Sequence, residues 1–168
     1  MSTAATYSTT YTRAQTINFV TDEIWNKLRV IIRDSGLDAA TFVGKHDKYT
    51  NAIRTWLTSG HLTQVYIEIY NKHTDGLVRR WDVNVFQDSS GYTQLWADTE
   101  GIRYALAKIG LAPENCSYDI KIKCKPGWPD LDGWNRNGRE RATNHLTRNS
   151  VGTTATANGF ALKMDFYK

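Results

Sequence analysis

The stretch Cys116-Ser117-Tyr118-Asp119-Ile120-Lys121-Ile122-Lys123-Cys124-Lys125, followed at once by Pro126-Gly127, decides the fold class. Tyr118, Ile120, Ile122 and Cys124 alternate with Asp119, Lys121, Lys123 and Lys125, the two-residue period of a β-strand with an apolar face and a mostly cationic one. The apolar face belongs to a core; the other meets solvent or a ligand. Proline has no N–H to give to a ladder, so Pro126-Gly127 stops the strand and has the composition of a hinge.

Upstream, the period is helical before it becomes extended. Ile17, Val20, Ile24, Leu28 and Ile31 recur at steps of three and four and predict a long first helix closed by Ser35-Gly36. Tyr49, Ile53, Trp56 and Leu57 predict a second, with Asp47 as candidate N-cap and Ser59-Gly60 as its stop. Val65, Ile67 and Ile69, a turn-like stretch at 71–76, and then Trp81, Val83 and Val85 predict an antiparallel hairpin. A third helix carries Ile102, Ala105, Leu106 and Ile109, capped by Asp98 or Thr99 and ended by Gly110.

Downstream of Pro126 no period holds until about residue 150, a connection longer than compact domains usually carry without function. The chain then closes on Thr153, Thr154, Ala155 and Thr156, an Asn158-Gly159 turn signal, and Phe160, Leu162, Met164 and Phe166 at alternate positions. The expected class is α+β, three helices on a mainly antiparallel sheet. The tail reads either as its last hairpin or as a segment able to re-pair without unfolding the rest.

With 168 residues, 40% hydrophobic and 23% charged, the chain fits one globular domain. No run approaches the ~20 apolar residues of a membrane span. A net charge of +4 permits weak attraction to polyanions without demanding it. On one extended strand Cys116 and Cys124 stand roughly 26 Å apart, too far to bridge, and reduced cysteines point to a cytoplasmic protein. His46, His61, His73 and His145 show no zinc spacing, and neither a Walker nor a dinucleotide glycine pattern occurs, so no metal and no cofactor are expected. Residues 1–12, rich in Ser, Thr and Tyr, lack the basic and apolar regions of a secretory signal and read as a flexible arm.

Candidate chemistry is thin. Asp130 and Asp132 are ordinary turn residues or a weak cation site, and His61 and His145 are the only material for a hydrolase. Trp25, Trp56 and Trp81 sit in or beside apolar patterns and belong to the core. Trp128 and Trp134 lie in the unpatterned stretch, either as anchors for a partner or as plugs over the core. Lys121, Lys123 and Lys125 with exposed tyrosines suggest, as an alternative, a small basic nucleic-acid-binding module.

The element order, together with Tyr11-Thr12-Arg13 leading into Val20-Thr21-Asp22, Ile53-Arg54-Thr55-Trp56-Leu57 with Ser59-Gly60-His61-Leu62, Trp96-Ala97-Asp98-Thr99 before Ile102-Arg103-Tyr104-Ala105, Lys125-Pro126-Gly127-Trp128-Pro129-Asp130 and Gly152-Thr153-Thr154, resembles the bacterial HORMA domain proteins of CBASS anti-phage signalling operons. The resemblance covers nearly the whole chain. It implies one HORMA domain over residues 1–168, with an arm at 1–12, a core at 13–125 and a C-terminal safety belt at 126–168. It also implies a non-enzymatic switch that holds a closure-motif peptide as an added strand. Its closed form would bind and activate a cGAS-like nucleotidyltransferase (CD-NTase), and a AAA+ remodelling ATPase would open it. A second HORMA protein is a further partner of the family, and direct nucleic-acid binding is not expected. On this reading Tyr118, Ile120, Ile122 and Cys124 form the receiving strand, Trp128 and Trp134 lie in the belt, and Phe160, Leu162, Met164 and Phe166 lock its end. The N-terminal arm, with Tyr7, Tyr11 and Thr12, is the remodeller's handle.

Overall fold

The computed structural model describes residues 11–87, 94–135 and 138–168. Its elements run α1 (Arg13–Asp34), α2 (Ala39–Gly44), α3 (His46–Thr58), β1 (Leu62–Asn71), β2 (Leu77–Phe86), β3 (Trp96–Ala97), α4 (Glu100–Ile109), β4 (Cys116–Cys124), β5 (Arg148–Ala157) and β6 (Phe160–Tyr167). The α+β class is as expected, with one helix beyond the three read from the sequence. That helix, α2, has six residues, too few to show a period, and is held by the Asp38 carboxylate, which accepts the Thr41 N–H at 3.0 Å.

Thr12 belongs to α1 and not to a free arm. Its hydroxyl accepts the Gln15 N–H at 3.1 Å while the Gln15 side chain accepts the Thr12 N–H at 2.9 Å, a reciprocal cap that fixes the start of the helix. Tyr11 precedes it, half-buried, and Tyr7 lies outside the described residues. Asp47 is likewise not a cap: α3 begins at His46, and Asp47 sits in the first turn, where its charge suits the positive end of the helix. At α4 the two candidates share the start. Thr99 holds the N-cap position without a side-chain bond, and the Asp98 carboxylate accepts the Glu100 N–H at 2.9 Å.

The six strands lie in the order β3-β5-β6-β2-β1-β4 and every pairing is antiparallel. The helices pack on one face. There Val65, Ile67 and Ile69 of β1, Trp81 and Val83 of β2 and Leu162 and Met164 of β6 meet Ile24, Leu28 and Ile31 of α1 and Ile53 and Leu57 of α3, all buried. Removing this apolar surface from water is the main stabilising term of the fold. Trp81 stacks on Phe166, ring centroids 4.8 Å apart, which ties β2 to the C-terminal strand.

The opposite face carries charge yet is partly covered, since Glu68, Arg80, Asp82 and Asp165 are all buried. Of the two readings of the tail, the structure forms the hairpin, β5 pairing with β6. β6 is an inner strand between β5 and β2, and Phe160, Leu162, Met164 and Phe166 are core residues, so it cannot leave without opening the core.

Candidate functional site at the free border of the sheet

β4 ends the strand order, so its second border pairs with no other strand among the described residues. Which backbone groups line that border follows from three bonds on the other side. Lys72 N–H donates to the Asn115 carbonyl, Lys125 N–H to the His61 carbonyl, and the Thr63 hydroxyl to the Lys123 carbonyl, so odd-numbered residues face β1. Antiparallel alternation then turns the N–H and C=O groups of Tyr118, Ile120 and Ile122 outward.

A groove runs along this border. One cavity of about 520 Å³ is lined by Ile120, Ile122 and Cys124 of β4, by Tyr49 and Trp56 of α3, and by Trp128 and Trp134 of the connection after β4. A second, about 370 Å³, shares Tyr49, Ile120 and Lys121 with the first and extends it past Tyr118 towards α2. The Tyr118 hydroxyl donates to the Asp38 carbonyl at 2.5 Å, and burial, with Asp38 nearby, pushes its pKa up to about 12, so it remains a donor throughout the neutral range.

Of the connection after β4, residues 126–135 lie on one side of this groove and residues 138–147 reach the other face of the sheet. On the helix side the Trp134 ring meets Tyr49 and Trp56 edge-on, at centroid distances of 5.8 and 5.6 Å, and Lys48 Nζ stands 5.3 Å over it. Trp56 Nε1–H donates to the Pro129 carbonyl at 2.8 Å, which anchors the start of the connection on α3. Asn135 and Gly138 line the larger cavity, and by Glu140 and Arg141 the chain is on the opposite face.

There, two consecutive residues of opposite charge clasp the sheet. Glu140 accepts from Arg80 Nη1 at 3.0 Å and pairs with Lys123. Arg141 donates to Glu68 and Asp119, both at 2.8 Å, and to Asp75, and its guanidinium lies 3.7 Å from the centre of the Tyr70 ring. Glu68 also accepts the Arg141 backbone N–H and the Lys121 ammonium, so its buried carboxylate is fully compensated. Burial acts to raise the Glu140 carboxyl, but the hydrogen bonds from Lys123 and Arg80 win and hold it below its ordinary value. Burial also pushes up Asp82, only partly offset by its 2.6 Å bond from Arg80.

Of the residues singled out from the sequence, the structure brings Ile120, Ile122, Cys124, Trp128 and Trp134 together around one cavity and places Tyr118 in the adjoining one. It does not bring Phe160, Leu162, Met164 or Phe166 there, because β2 and β1 intervene. The sequence reading missed Tyr49, Tyr66, Glu68, Glu140 and Arg141. A helical aromatic and an isolated Glu-Arg pair carry no local signal, since their partners are distant in sequence. The cationic row is not an open stripe either, with Lys121 bonded to Glu68 and Lys123 to Glu140. His61 pairs with Ser59 Oγ at 2.7 Å, whose hydroxyl donates to the Trp56 carbonyl at 3.3 Å, and His145 pairs with the Leu77 carbonyl at 2.7 Å; neither of these partners is the aspartate that a hydrolase reading needs. Cys116 and Cys124 stand at opposite ends of β4 and neither is in a disulfide. Among the described residues no cluster of three or more metal-ligating side chains occurs, and no helix is long and apolar enough to cross a membrane.

The fold is similar to that of a chain in the crystal structure of the mitotic checkpoint complex, with a TM-score of 0.70, 11% identity and coverage of 90% of this chain and 97% of that one. It is equally similar to C. elegans HTP-2 bound to HTP-3 closure motif 1, with a TM-score of 0.70, 10% identity and coverage of 92% and 86%. A chain of the E. coli MS115-1 CdnC:HORMA-deltaN complex matches at a TM-score of 0.57 and 13% identity, over 100% of this chain and 93% of that one. At these identities the likeness is one of fold. No curated protein matches the sequence. The description of the bacterial HORMA domain 2 family matches residues 1–168. With that full-length match, the chain belongs to the bacterial HORMA domain 2 family, a family of non-catalytic protein-binding modules.

Proposed function

We propose that the chain is a cytoplasmic peptide-binding switch, one domain over residues 1–168. It captures a closure motif as a strand added to β4 and, in that closed form, binds and activates a CD-NTase in anti-phage defence. The observation that carries this reading is the border of β4 that pairs with no other strand among the described residues and faces a groove lined on its far side by Trp128, Leu131, Trp134 and Glu140. Strand addition takes its general affinity from outward N–H and C=O groups such as those of Ile120 and Ile122. Two relatives of the same fold support the partners: HTP-2, solved with a closure motif, and the HORMA protein solved in a CdnC complex.

The same geometry supports a remodelling ATPase as the opening agent. Residues 126–135 and 138–147 are held by side-chain contacts such as those of Trp134, Glu140 and Arg141, but a full change of topology must also withdraw β6. Exposing Phe160, Leu162, Met164 and Phe166 costs about 6–12 kcal/mol at the usual 1.5–3 kcal/mol per buried side chain. That is comparable to the whole stability of a typical domain, so spontaneous opening is rare and a AAA+ motor suits the task. The N-terminal residues up to Tyr11 are its proposed handle, because Thr12 already caps α1.

The test is reconstitution with a nucleotidyltransferase encoded beside this gene, reading cyclic-oligonucleotide synthesis with and without the chain. Stimulation is expected, and its loss in a Trp128→Ala/Trp134→Ala variant that still melts cooperatively. A folded chain that neither binds nor stimulates the enzyme overturns the reading. Nucleic-acid binding is the weaker alternative, since Lys121 and Lys123 are paired; retention of mixed DNA or RNA on a filter at low salt would revive it.

A further inference from the structure

The walls of the groove differ in chemistry, and β4 fixes which ligand position meets which wall. Across an antiparallel or parallel pair, directly opposed residues project to the same face of the sheet. A segment lying on β4 therefore sends the side chains opposite Ile120 and Ile122 to the helix side. There the wall is Tyr49, Trp56, Leu131 and Trp134, with Ile120 and Ile122 themselves as floor. The intervening side chains go to the other face, beside Lys121, Lys123, Tyr66 and Glu140. An added chain is the occupant the site suits, because the outward N–H and C=O groups of Tyr118, Ile120 and Ile122 form the row that an extended backbone can pair with.

We infer that the captured segment is an extended peptide with apolar side chains two residues apart, at least one of them aromatic, and a non-basic polar residue between them. This rests on the peptide-capture reading above and adds the chemistry of the ligand. The aromatic preference follows from the edge-on set of Tyr49, Trp56 and Trp134, which offers ring faces and edges to a flat side chain. The exclusion of Lys and Arg follows from Lys121 and Lys123. Their carboxylate partners are already shared, Glu68 with Arg141 and Glu140 with Arg80, so cations are in excess around these carboxylates and a further one directly opposite adds like-charge repulsion.

A library of random nine-residue peptides selected on the full-length chain tests this. The expected outcome is enrichment of apolar–x–apolar sequences with an aromatic at one apolar position, and roughly fivefold depletion of Lys and Arg at x. Selection on Lys123→Glu should reverse that depletion and admit Lys and Arg at x. Selection on Trp134→Ala should abolish the aromatic preference, and both variants are compared with the parent by circular dichroism and melting. Enriched peptides that lack the two-residue apolar spacing, or that carry basic residues at x at their library frequency, overturn the inference and leave peptide capture standing. If the folded chain enriches no peptide at all, the capture reading falls and the inference with it.

Discussion

Arg141 shows how a single side chain can decide whether the connection after β4 stays closed. It reaches Glu68 across 73 residues of sequence and also meets Asp119, Asp75 and the Tyr70 ring. Truncating it leaves the fully buried Glu68 carboxylate with Lys121 alone, so Arg141→Ala is expected to lower the unfolding free energy by about 2–4 kcal/mol, read from urea melts. Arg141→Lys keeps the charge but not the fork, and recovers only part of the loss. Glu140 supplies the pH dependence. Its folded pKa lies below the ordinary 4.5, so the stabilisation it gives is present above that value and is lost as pH falls through the lower, folded one. Asp82 acts in the opposite sense, since its raised pKa favours the fold when protonated and weakens that support as pH rises through it. Proteolysis of residues 126–147 should therefore increase below pH 4.5 in the parent, and Glu140→Gln should reduce that increase. A parent connection that stays equally resistant down to pH 3 would contradict the clasp.

Elements whose identity is local were legible, and those whose identity depends on distant partners were not. The alternation at 116–125 gave β4 and its apolar face, and Asn158-Gly159 gave the turn between β5 and β6, because both signals lie within a few residues. β5 was read as starting near Thr153 but begins at Arg148. A bulge between Ser150 and Gly152, with Gly152 at φ +91°, breaks its two-residue period. β3 has two residues and exists only through its pairing with Thr156 and Ala155. For the site, the strand and both tryptophans were found, while the aromatic wall of α3 and the Glu140-Arg141 clasp needed the folded chain to bring them together. The hairpin turn gives a prediction of its own. Of its two residues only Gly159 has a positive φ, +81°, and a Cβ there would meet nothing within 4 Å. Gly159→Ala should therefore cost about 1–2 kcal/mol from backbone conformation alone, with Gly159→Asn tolerated better. Equal melting temperatures for the Ala and Asn variants would show that the turn does not hold this conformation.

At the scale of the molecule, the arrangement bears on a general problem of open sheets. A nine-residue border strand with outward amide groups is a template for unwanted pairing. Here the described residues of the connection after β4 stand beside this border, with the groove between them. On the proposed function a peptide in that groove would complete the ladder, so binding and stability would be linked. At a peptide concentration 100 times its Kd the closed fold gains about 2.7 kcal/mol, which for a domain of this size is a rise in Tm of roughly 5–10 °C. Where protection appears is more discriminating than its size. Hydrogen exchange should slow on binding at Tyr118, Ile120 and Ile122, whose amides face the groove, and in residues 138–147, which close it. The amides of β2 and β6 are already paired in the centre of the sheet and should change little beyond the global gain. Release of the peptide then requires the clasp at Glu140 and Arg141 to open, so Arg141→Ala should speed dissociation by a larger factor than it slows association. If the variant instead slows association alone, the peptide enters and leaves along the groove, and the connection is a wall and not a belt.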